Sequence, residues 1–300
     1  MQTIHLHDMM LLSRYSDKEK VMDMQTYVIN NQGCNLQVYA KGKCDTSTSI
    51  LFLHGGPGSG AKPIMDLPAF QALEKIYHCV YFDQRGCGSS HYDLKKGLTI
   101  DDITSDVKVI ALDIKKRWKH TQIILWGGSF GGTLASLCME KFPEIFSGCI
   151  LSSPAISFTR AQGVGFYERM KASYETRIEG NENGQQPMEP ETFFSTPQTK
   201  EMIFSTLNPS NSLRHICAMS SWFFSHSFPH LFQEITIPLL VLQGKDDPIC
   251  PYQYINDILS THSYPNIEYH LIDHCGHAIF EDQQALFIKY IQAFIQEVIQ

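Results

Sequence analysis

The sequence predicts an α/β fold in which a mostly parallel sheet is flanked by helices and carries an inserted, mainly helical cap. Apolar runs of strand length alternate with helical patterns over residues 24–157 and again over residues 236–300, which is typical of a doubly wound core. Residues 158–235 lack this alternation and include the polar tract 180–187, so we interpret them as the cap. Residues 1–23 show no clear period and are predicted to form an N-terminal extension.

The predicted elements follow from local patterns along the chain. The strands are predicted at residues 26–30, 35–40, 49–53, 79–82, 123–126, 148–151, 238–244 and 267–272. A turn that ends in Gly33 separates the first two and indicates a hairpin. The later strands are apolar on both faces, as central parallel strands covered by helices are. Apolar residues at helical spacing predict one helix from Thr99 to about Lys119 and a closing helix over residues 286–298.

The composition narrows the class of protein and of partner. The 300 residues are 43% hydrophobic and 18% charged, as in a soluble globular protein with one large domain. A net charge of −7 without any basic tract argues against nucleic acid and anionic membranes as partners. The chain has no run of 18 apolar residues and no signal-peptide pattern. Nine cysteines without paired spacing indicate reduced thiols, so we expect a cytoplasmic protein.

The centre of the predicted site is the turn Gly127-Gly128-Ser129-Phe130-Gly131, which follows an apolar strand and runs directly into a helix. In that context Gly-X-Ser-X-Gly is the nucleophile elbow of an α/β-hydrolase fold. Gly127 and Gly131 lack the Cβ atoms that would collide where the strand and the helix cross. Ser129 stands at the apex, next to the positive end of the helix dipole, and is the predicted nucleophile.

A serine nucleophile needs a histidine base and a carboxylate, which follow it in the order acid, then histidine, in this fold. Two adjacent acids, Asp246 and Asp247, follow one late strand, and two histidines, His274 and His277, follow the last strand. Asp247 is favoured because it lies deeper in its loop and immediately before a proline. His277 is favoured because the glycine before it permits a close approach to the elbow. The predicted triad is therefore Ser129, Asp247 and His277.

Acyl transfer also needs N–H donors for the oxyanion. One predicted donor is the N–H of Phe130, and the other is the N–H of Gly56, in the glycine-rich loop 54–58. The alternative for that loop is an ordinary Gly-Pro turn after a strand. A zinc site at His274 and His277 is the alternative for the histidine pair, but no further ligands stand at tetrahedral-site spacing. We therefore predict no metal and no organic cofactor.

Three segments together resemble one known family. They are His-Gly-Gly-Pro-Gly at residues 54–58, Asp-Gln-Arg-Gly-Cys-Gly-Ser at residues 83–89, and the elbow at residues 127–132. This combination resembles the prolyl aminopeptidase (proline iminopeptidase) family of α/β-hydrolases, with a likeness over roughly residues 26–155 and 236–300. The resemblance implies the same triad and oxyanion donors. For residues 83–89 it implies a structural turn without chemistry.

The cap departs from the pattern of this family. The resemblance implies cap glutamates that bind the free α-amino group of the substrate, but residues 219–224, in the comparable place, contain serines instead. Other acids lie in this part of the chain, and each is expected on the surface: Glu168, Glu175, Glu189, Glu191, Glu201 and Glu234. A group of aromatic residues either roofs an apolar pocket or forms ordinary core between cap helices: Trp222, Phe223, Phe224, Phe228 and Phe232.

Taken together, these residues predict a serine hydrolase that works through an acyl-enzyme. The resemblance implies an aminopeptidase that releases N-terminal proline, or another small residue, from short peptides. The missing cap glutamate leaves a second hypothesis, a carboxylesterase for small apolar esters. A third is a non-catalytic ligand-binding protein on a hydrolase scaffold, against which the complete predicted triad argues. In every case the expected partner is a small molecule or a short peptide.

Overall fold

The computed structural model of the chain describes residues 21–44, 47–182, 208–260 and 262–299. Its strands are β1 (Val21–Asn31), β2 (Cys34–Lys43), β3 (Thr48–Leu53), β4 (His78–Phe82), β5 (Gln122–Gly128), β6 (Gly148–Ser152), β7 (Leu239–Gly244) and β8 (Ile267–Ile272). They form one sheet in the order β1-β2-β4-β3-β5-β6-β7-β8. β2 pairs antiparallel with β1 and β4, and the other neighbours pair parallel. The predicted α/β-hydrolase architecture with a mostly parallel sheet is confirmed.

The N-terminal hairpin begins earlier than the sequence indicated. β1 starts at Val21, inside the predicted extension 1–23, whose earlier part lies outside the described residues. Gln32 and Gly33 close the hairpin with φ angles of 47° and 75°. Two successive residues with positive φ are what a type I′ turn requires, and this turn matches the twist of the paired strands.

Helices cover both faces of the sheet. They are α1 (Lys62–Met65), α2 (Pro68–Glu74), α3 (Ile100–Trp118), α4 (Phe130–Lys141), α5 (Arg160–Glu182), α6 (Pro209–Ala218), α7 (Ser220–Ser225), α8 (Leu231–Glu234), α9 (Gln253–Leu259), α10 (Ile279–Asp282) and α11 (Gln284–Val298). The start of α3 is fixed by a capping box, in which the side chains of Thr99 and Asp102 each accept a hydrogen bond from the other residue's backbone N–H.

Two apolar cores lie on opposite faces of the sheet. Leu51 of β3 belongs to the core that includes Val107 of α3 and side chains of α4. Its neighbour Phe52 belongs to the other core, with Phe70 of α2 and Phe287 of α11. Successive strand residues point to opposite faces, so a strand covered on both sides must be apolar throughout. This double coverage is the physical reason for the continuous apolar runs in the sequence.

The insertion between β6 and β7 is helical in its described part and rests on the loops after β3 and β4. It contains α5, α6, α7 and α8. The side-chain amide of Asn211, on α6, donates to the carbonyl oxygens of Gly58 and Gly86 at 2.9 and 3.2 Å. His215 Nε2, one turn further on, lies 3.1 Å from the carbonyl oxygen of Arg85. Through these contacts, α6 fixes the two loops that border the predicted site.

Two further sequence features can be compared with the structure. All nine cysteines are free thiols, in agreement with the absence of paired spacing. None of the helices in the described ranges combines the length and the apolar character that crossing a membrane would require.

Candidate active site

Ser129 lies in a strained turn between β5 and α4, as the elbow motif predicts. Its backbone has φ 53° and ψ −125°, a conformation that residues with a side chain rarely adopt. A Cβ atom on Gly127 would lie 2.3 Å from the carbonyl oxygen of Gly131, and one on Gly131 would lie 2.1 Å from that of Leu53. Only glycine therefore fits at these two positions, because strand and helix cross in backbone contact.

Asp247 and His277 meet through a short hydrogen bond. His277 Nδ1 donates to Asp247 Oδ2 at 2.8 Å, which leaves Nε2 as the basic nitrogen of the neutral ring. The other carboxylate oxygen, Oδ1, accepts from the backbone N–H groups of Ile249 and Cys250 at 2.8 and 3.0 Å. The Asp247 side chain is fully buried, so these bonds fix both its position and the tautomer of His277.

The competing acid and the competing histidine point elsewhere. Asp246 and His274 are exposed, whereas Asp247 is buried and His277 is half-buried. His274 adopts a positive φ of 52°, and its carbonyl oxygen accepts from the Gln283 side chain at 3.2 Å. The geometry thus brings together the acid and the base that the sequence favoured.

The glycine-rich loop lies directly against the elbow. A Cβ atom placed on Gly55 would stand 3.0 Å from Ser129 Cβ and 3.6 Å from its Oγ. Gly56, the predicted oxyanion donor, has φ 115° and lines the same cavity as Ser129. Phe130, the other predicted donor, is the first residue of α4, so its N–H has no acceptor within the helix.

His54 and Gln84 tie this loop to the loop after β4. The Gln84 backbone N–H donates to His54 Nε2 at 3.1 Å, and the Gln84 side chain donates to the His54 carbonyl oxygen at 2.7 Å. His54 Nδ1 lies 2.9 Å from the Gly55 carbonyl oxygen. Burial lowers the pKa of His54 to about 4, against the opposing effect of the Gly55 carbonyl. The ring is therefore neutral, and its hydrogen bonds hold the loop in place.

The cavity beside Ser129 has a volume of about 130 Å³ as bounded by the described residues. Its apolar lining consists of Pro63, Ile64, Leu67, Trp126, Met170, Ile249 and Phe280. Its polar lining includes Ser152, Tyr174, Arg177 and His277. The indole Nε1 of Trp126 and the hydroxyl of Ser152 are buried without a hydrogen-bond partner among the described residues. None of the described lining residues is acidic.

The cap residues singled out in the sequence do not line this cavity. Glu168 and Glu234 are exposed, and Glu175 pairs with Lys171 along α5. Three further acids, Glu189, Glu191 and Glu201, lie outside the described residues. The five aromatic residues, Trp222, Phe223, Phe224, Phe228 and Phe232, are also absent from the lining.

Three of these aromatic residues, Phe223, Phe228 and Phe232, are buried in the core, in agreement with the second of the two alternatives. The Phe223 ring packs 6.1 Å from Phe130 and 5.7 Å from Phe166. Phe232 packs 5.4 Å from Phe158. Phe224, the most exposed of the five, contacts Tyr167 at 4.8 Å. The side chains of the helical insertion that line the cavity come instead from α5, at Met170, Tyr174 and Arg177.

One group of side chains has the spacing of a metal site. Asp247, Cys250 and His277 bring potential ligand atoms within 4.8 Å of one another. Both oxygens of Asp247 already accept hydrogen bonds. Burial raises the pKa of the Cys250 thiol well above its ordinary value, whereas a metal ligand must be a thiolate. The group is therefore better suited to hydrogen bonding than to holding a cation.

The sequence did not indicate the polar residues that face the cavity from α5 and β6. Tyr174 and Arg177 stand three residues apart, which puts them on one helix face, but the same spacing is common on solvated helices. Ser152 directly follows the predicted strand 148–151 and ends the observed β6, a position where a polar residue is common.

Comparisons with known proteins show which family this chain belongs to and which relatives it resembles. A family model described as the alpha/beta hydrolase fold matches residues 48–284. The chain is similar to a proline iminopeptidase from Pestalotiopsis fici, with 24% identity over an alignment of 280 residues. That alignment covers 83% of this chain and 92% of the relative.

Solved structures show the same fold at lower identity. An esterase from Exiguobacterium antarcticum superimposes with a TM-score of 0.69 and 19% identity, over 91% of this chain and all of that chain. A proline iminopeptidase-related protein from Thermus thermophilus gives a TM-score of 0.68 and 20% identity, over 92% of this chain and 99% of that chain. Peptidase-related and esterase chains thus share this fold equally well.

Proposed function

Because this chain belongs to the α/β-hydrolase fold family, we propose that it is a serine hydrolase that works through an acyl-enzyme on a small acyl substrate. The proposal depends on one observation. His277, held by Asp247 at 2.8 Å, lines the same cavity as Ser129. A nucleophile and an oriented base around one space are what acyl transfer requires.

In the proposed reaction Ser129 Oγ attacks the carbonyl carbon of the substrate while His277 Nε2 takes the hydroxyl proton. The N–H groups of Gly56 and Phe130 donate to the oxyanion that forms. His277 then returns the proton to the leaving group, and an ester of Ser129 with the acyl group remains. A water molecule, deprotonated by His277, releases the acid and restores the serine. Asp247 stays ionised and stabilises the imidazolium.

For the substrate, we propose first a short peptide from which N-terminal proline, or another small residue, is released. The supporting observation is the resemblance to proline iminopeptidases, one of which aligns over 83% of this chain. A helical insertion beside the cavity would also exclude folded proteins. On this proposal the scissile carbonyl is that of the N-terminal residue.

A second candidate substrate is a small carboxylic ester, and the cavity itself favours it. A site for an α-amino group needs an acidic partner, and none of the described lining residues is acidic. Seven of the lining residues are apolar, among them Leu67 and Phe280, and they would suit a short acyl chain.

Two substrates separate these candidates. We expect the purified protein to cleave proline 4-nitroanilide if it is an aminopeptidase, and 4-nitrophenyl butyrate alone if it is an esterase. Ser129→Ala is the control for both, because it removes the nucleophile and little else. Ester cleavage without arylamidase activity would reject the peptidase proposal, and turnover retained by Ser129→Ala would reject the mechanism.

A further inference from the structure

Arg169 of α5 joins the helical insertion to the loop that carries the proposed triad acid. The side chain is half-buried, and its Nη2 donates to the carbonyl oxygen of Ile249 at 3.2 Å. Ile249 lies two residues after Asp247, in the loop that follows β7. Arg169 and Ile249 also border one small internal space between α5 and this loop. A charged side chain of the insertion is therefore bonded to the backbone of the acid loop.

The peptide group that Arg169 contacts is one of the two that bind Asp247. It consists of the carbonyl of Ile249 and the N–H of Cys250, and this N–H donates to Asp247 Oδ1 at 3.0 Å. The C=O and the N–H of one trans peptide lie in a plane and point in opposite directions, so a bond to the carbonyl fixes the direction of the N–H. The chain of hydrogen bonds continues from Asp247 Oδ2 to His277 Nδ1 at 2.8 Å.

The charge of Arg169 strengthens this chain of hydrogen bonds. Among the residues that the structure describes, the Ile249 carbonyl oxygen is the one acceptor of the guanidinium, and its Nε–H is buried without a partner. A positive charge on a carbonyl oxygen polarises the peptide and makes its N–H a better donor. Burial, and secondarily Asp247, raises the pKa of the Cys250 thiol, whereas Arg169 lowers it. The charge of Arg169 therefore acts on this turn.

We propose that Arg169 is a positioning residue of the hydrolase, which holds Asp247, through the peptide between Ile249 and Cys250, in the orientation that aligns His277 with Ser129. This inference rests on the proposed function and adds a residue to it. Groups that act in catalysis need such support from the residues behind them. Met170, the next residue of α5, lines the cavity beside Ser129. The same helix thus borders the substrate space and aligns the base.

The rate of covalent labelling tests the proposal without an assumption about the substrate. A fluorophosphonate reacts with a serine that a base activates, so the second-order rate constant of labelling reports the alignment of His277 with Ser129. We expect Arg169→Met to be labelled about 10- to 100-fold more slowly than the wild-type protein, since a misplacement of about 1 Å can cost about 100-fold. Arg169→Lys should lie between the two, because it keeps the charge but loses the planar fork.

A proton NMR resonance reports on His277 directly. A histidine Nδ1 proton that is donated to a buried carboxylate resonates far downfield, and its absence from Ser129→Ala/His277→Ala identifies the signal in Ser129→Ala. In Ser129→Ala/Arg169→Met we expect this resonance to move upfield and to exchange faster with water. A contact that only attaches α5 to the core would change the free energy of unfolding and leave the resonance in place.

Arg160→Met is the matched control. Arg160 is exposed near the start of the same helix and likewise donates to a backbone carbonyl oxygen, that of Phe224 in the insertion. We expect Arg160→Met to have the wild-type rate of labelling and an unchanged resonance. If circular dichroism shows that Arg169→Met does not fold, Arg169→Gln replaces it with the same expectations, because glutamine is polar but carries no charge.

The two readouts separate this proposal from the proposed function. If the wild-type protein is labelled, an unchanged rate or an unchanged resonance in the uncharged Arg169 variant would overturn the role of Arg169. An equal loss in Arg160→Met would also overturn it. If the wild-type protein is not labelled, the hydrolase is refuted and the resonance alone decides. Its movement in Ser129→Ala/Arg169→Met would support the chain of hydrogen bonds, and an unchanged resonance would refute it.

Discussion

Ser129, the proposed nucleophile, has a strained backbone conformation. Its φ of 53° and ψ of −125° hold the side chain at the apex of the elbow, at a cost on the order of 1–3 kcal/mol for a residue with a Cβ. The paired strand β5 and the helix α4 fix this conformation from both sides. The strain persists because both elements around the turn are buried over most of their length.

This conformation predicts that two substitutions of Ser129 differ in their effect on stability. Ser129→Gly should raise the free energy of unfolding by about 1 kcal/mol relative to Ser129→Ala, since glycine relieves the strain and offsets its own entropic cost. Both variants should lack activity. Urea unfolding followed by circular dichroism measures the difference. A glycine variant less stable than the alanine variant would show that the elbow is not strained.

Asp247 supports a second prediction at the residue scale. Asp247→Asn should keep the fold but lower kcat by about 10⁴-fold, the effect of the corresponding change in the Ser-His-Asp triad of serine proteases. The amide would favour the wrong tautomer of His277, whose Nδ1 now donates to Asp247 Oδ2 at 2.8 Å. Asp246→Asn is the control, because Asp246 is exposed. Similar rates for the two variants would exclude Asp247 from the proposed triad.

Some residues of the proposed site could be predicted from the sequence, and others could not. Chain order and loop position sufficed to favour Asp247 and His277, because the carboxyl ends of parallel strands meet at one edge of the sheet. The residues that line the cavity from α5, Met170, Tyr174 and Arg177, could not be found in the same way. Their position depends on which face of α5 turns toward the cavity, and tertiary packing decides that.

The start of α4 is in backbone contact with Gly127 of β5 and Leu53 of β3, which leaves no room for a Cβ atom on Gly127 or Gly131. Gly131→Ala should lower the free energy of unfolding by about 3 kcal/mol or more, because its Cβ would lie 2.1 Å from the backbone oxygen of Leu53. Gly165→Ala, within α5, is the contrasting variant. Its Cβ would meet only the end of the Arg169 side chain, at 3.2 Å. It should raise stability by about 0.5 kcal/mol through helix propensity.

Thermal and urea unfolding of both glycine variants checks this pair of expectations. A Gly131→Ala variant with wild-type stability would mean that strand and helix can move apart at little cost. That result would remove the structural reason for glycine in the elbow. A lower free energy of unfolding in Gly165→Ala would instead indicate that α5 is packed more tightly around Gly165 than its one contact, with Arg169, suggests.

The bounds of elements with a strong hydrophobic period were predicted well, whereas the bounds of elements set by tertiary packing were not. The helix predicted from Thr99 to about Lys119 is α3, Ile100–Trp118, because its apolar face and its capping box both specify it. The aromatic segment at residues 219–224 had no such period. It forms the short helix α7, which Met219 separates from α6, so the boundary between these helices depends on contacts with the core.

At the scale of the whole molecule, the two cores enclose several ionisable groups. His78 is fully buried between β3 and α3, with Nδ1 2.8 Å from the Ser49 hydroxyl and Nε2 without a partner among the described residues. Burial, and secondarily His120, lowers the pKa of His78 to about 3. The pKa of His54 is lowered to about 4. Both rings are therefore neutral in the folded protein.

These two histidines predict a loss of stability in mild acid. Their pKa values in the folded protein lie below the value of about 6.5 for an unfolded chain, so the unfolded state binds more protons between these limits. Their contribution is complete above about pH 6.5 and decreases as the pH falls toward 4 and then 3. Each contributes a slope of about 1.4 kcal/mol per pH unit in that range.

Urea titrations at pH 7.5, 6 and 5 measure this slope. His78→Gln should reduce it by up to one proton equivalent, about 1.4 kcal/mol per pH unit. The exposed His274→Gln serves as a matched control and should leave it unchanged. A free energy of unfolding that is independent of pH between 6.5 and 5 would contradict the neutral, buried state of the two rings.

The overall architecture followed from the sequence, but the substrate did not. Alternating apolar runs defined the sheet, and the three glycine-rich segments indicated a resemblance to prolyl aminopeptidase-like α/β-hydrolases, which the relatives confirm. The cap has no such internal regularity. Its helices are positioned by tertiary contacts such as the hydrogen bond from Asn211 to the Gly58 carbonyl oxygen. The spacing of apolar residues in the sequence does not reveal such contacts.

Mass spectrometry after reaction with a fluorophosphonate tests most directly whether Ser129 is a nucleophile activated by His277. We predict one covalent adduct per chain, located on the peptide that contains Ser129, and its loss in both Ser129→Ala and His277→Ala. A folded wild-type protein that remains unlabelled, or an adduct on another residue, would contradict the account and favour a ligand-binding protein on a hydrolase scaffold.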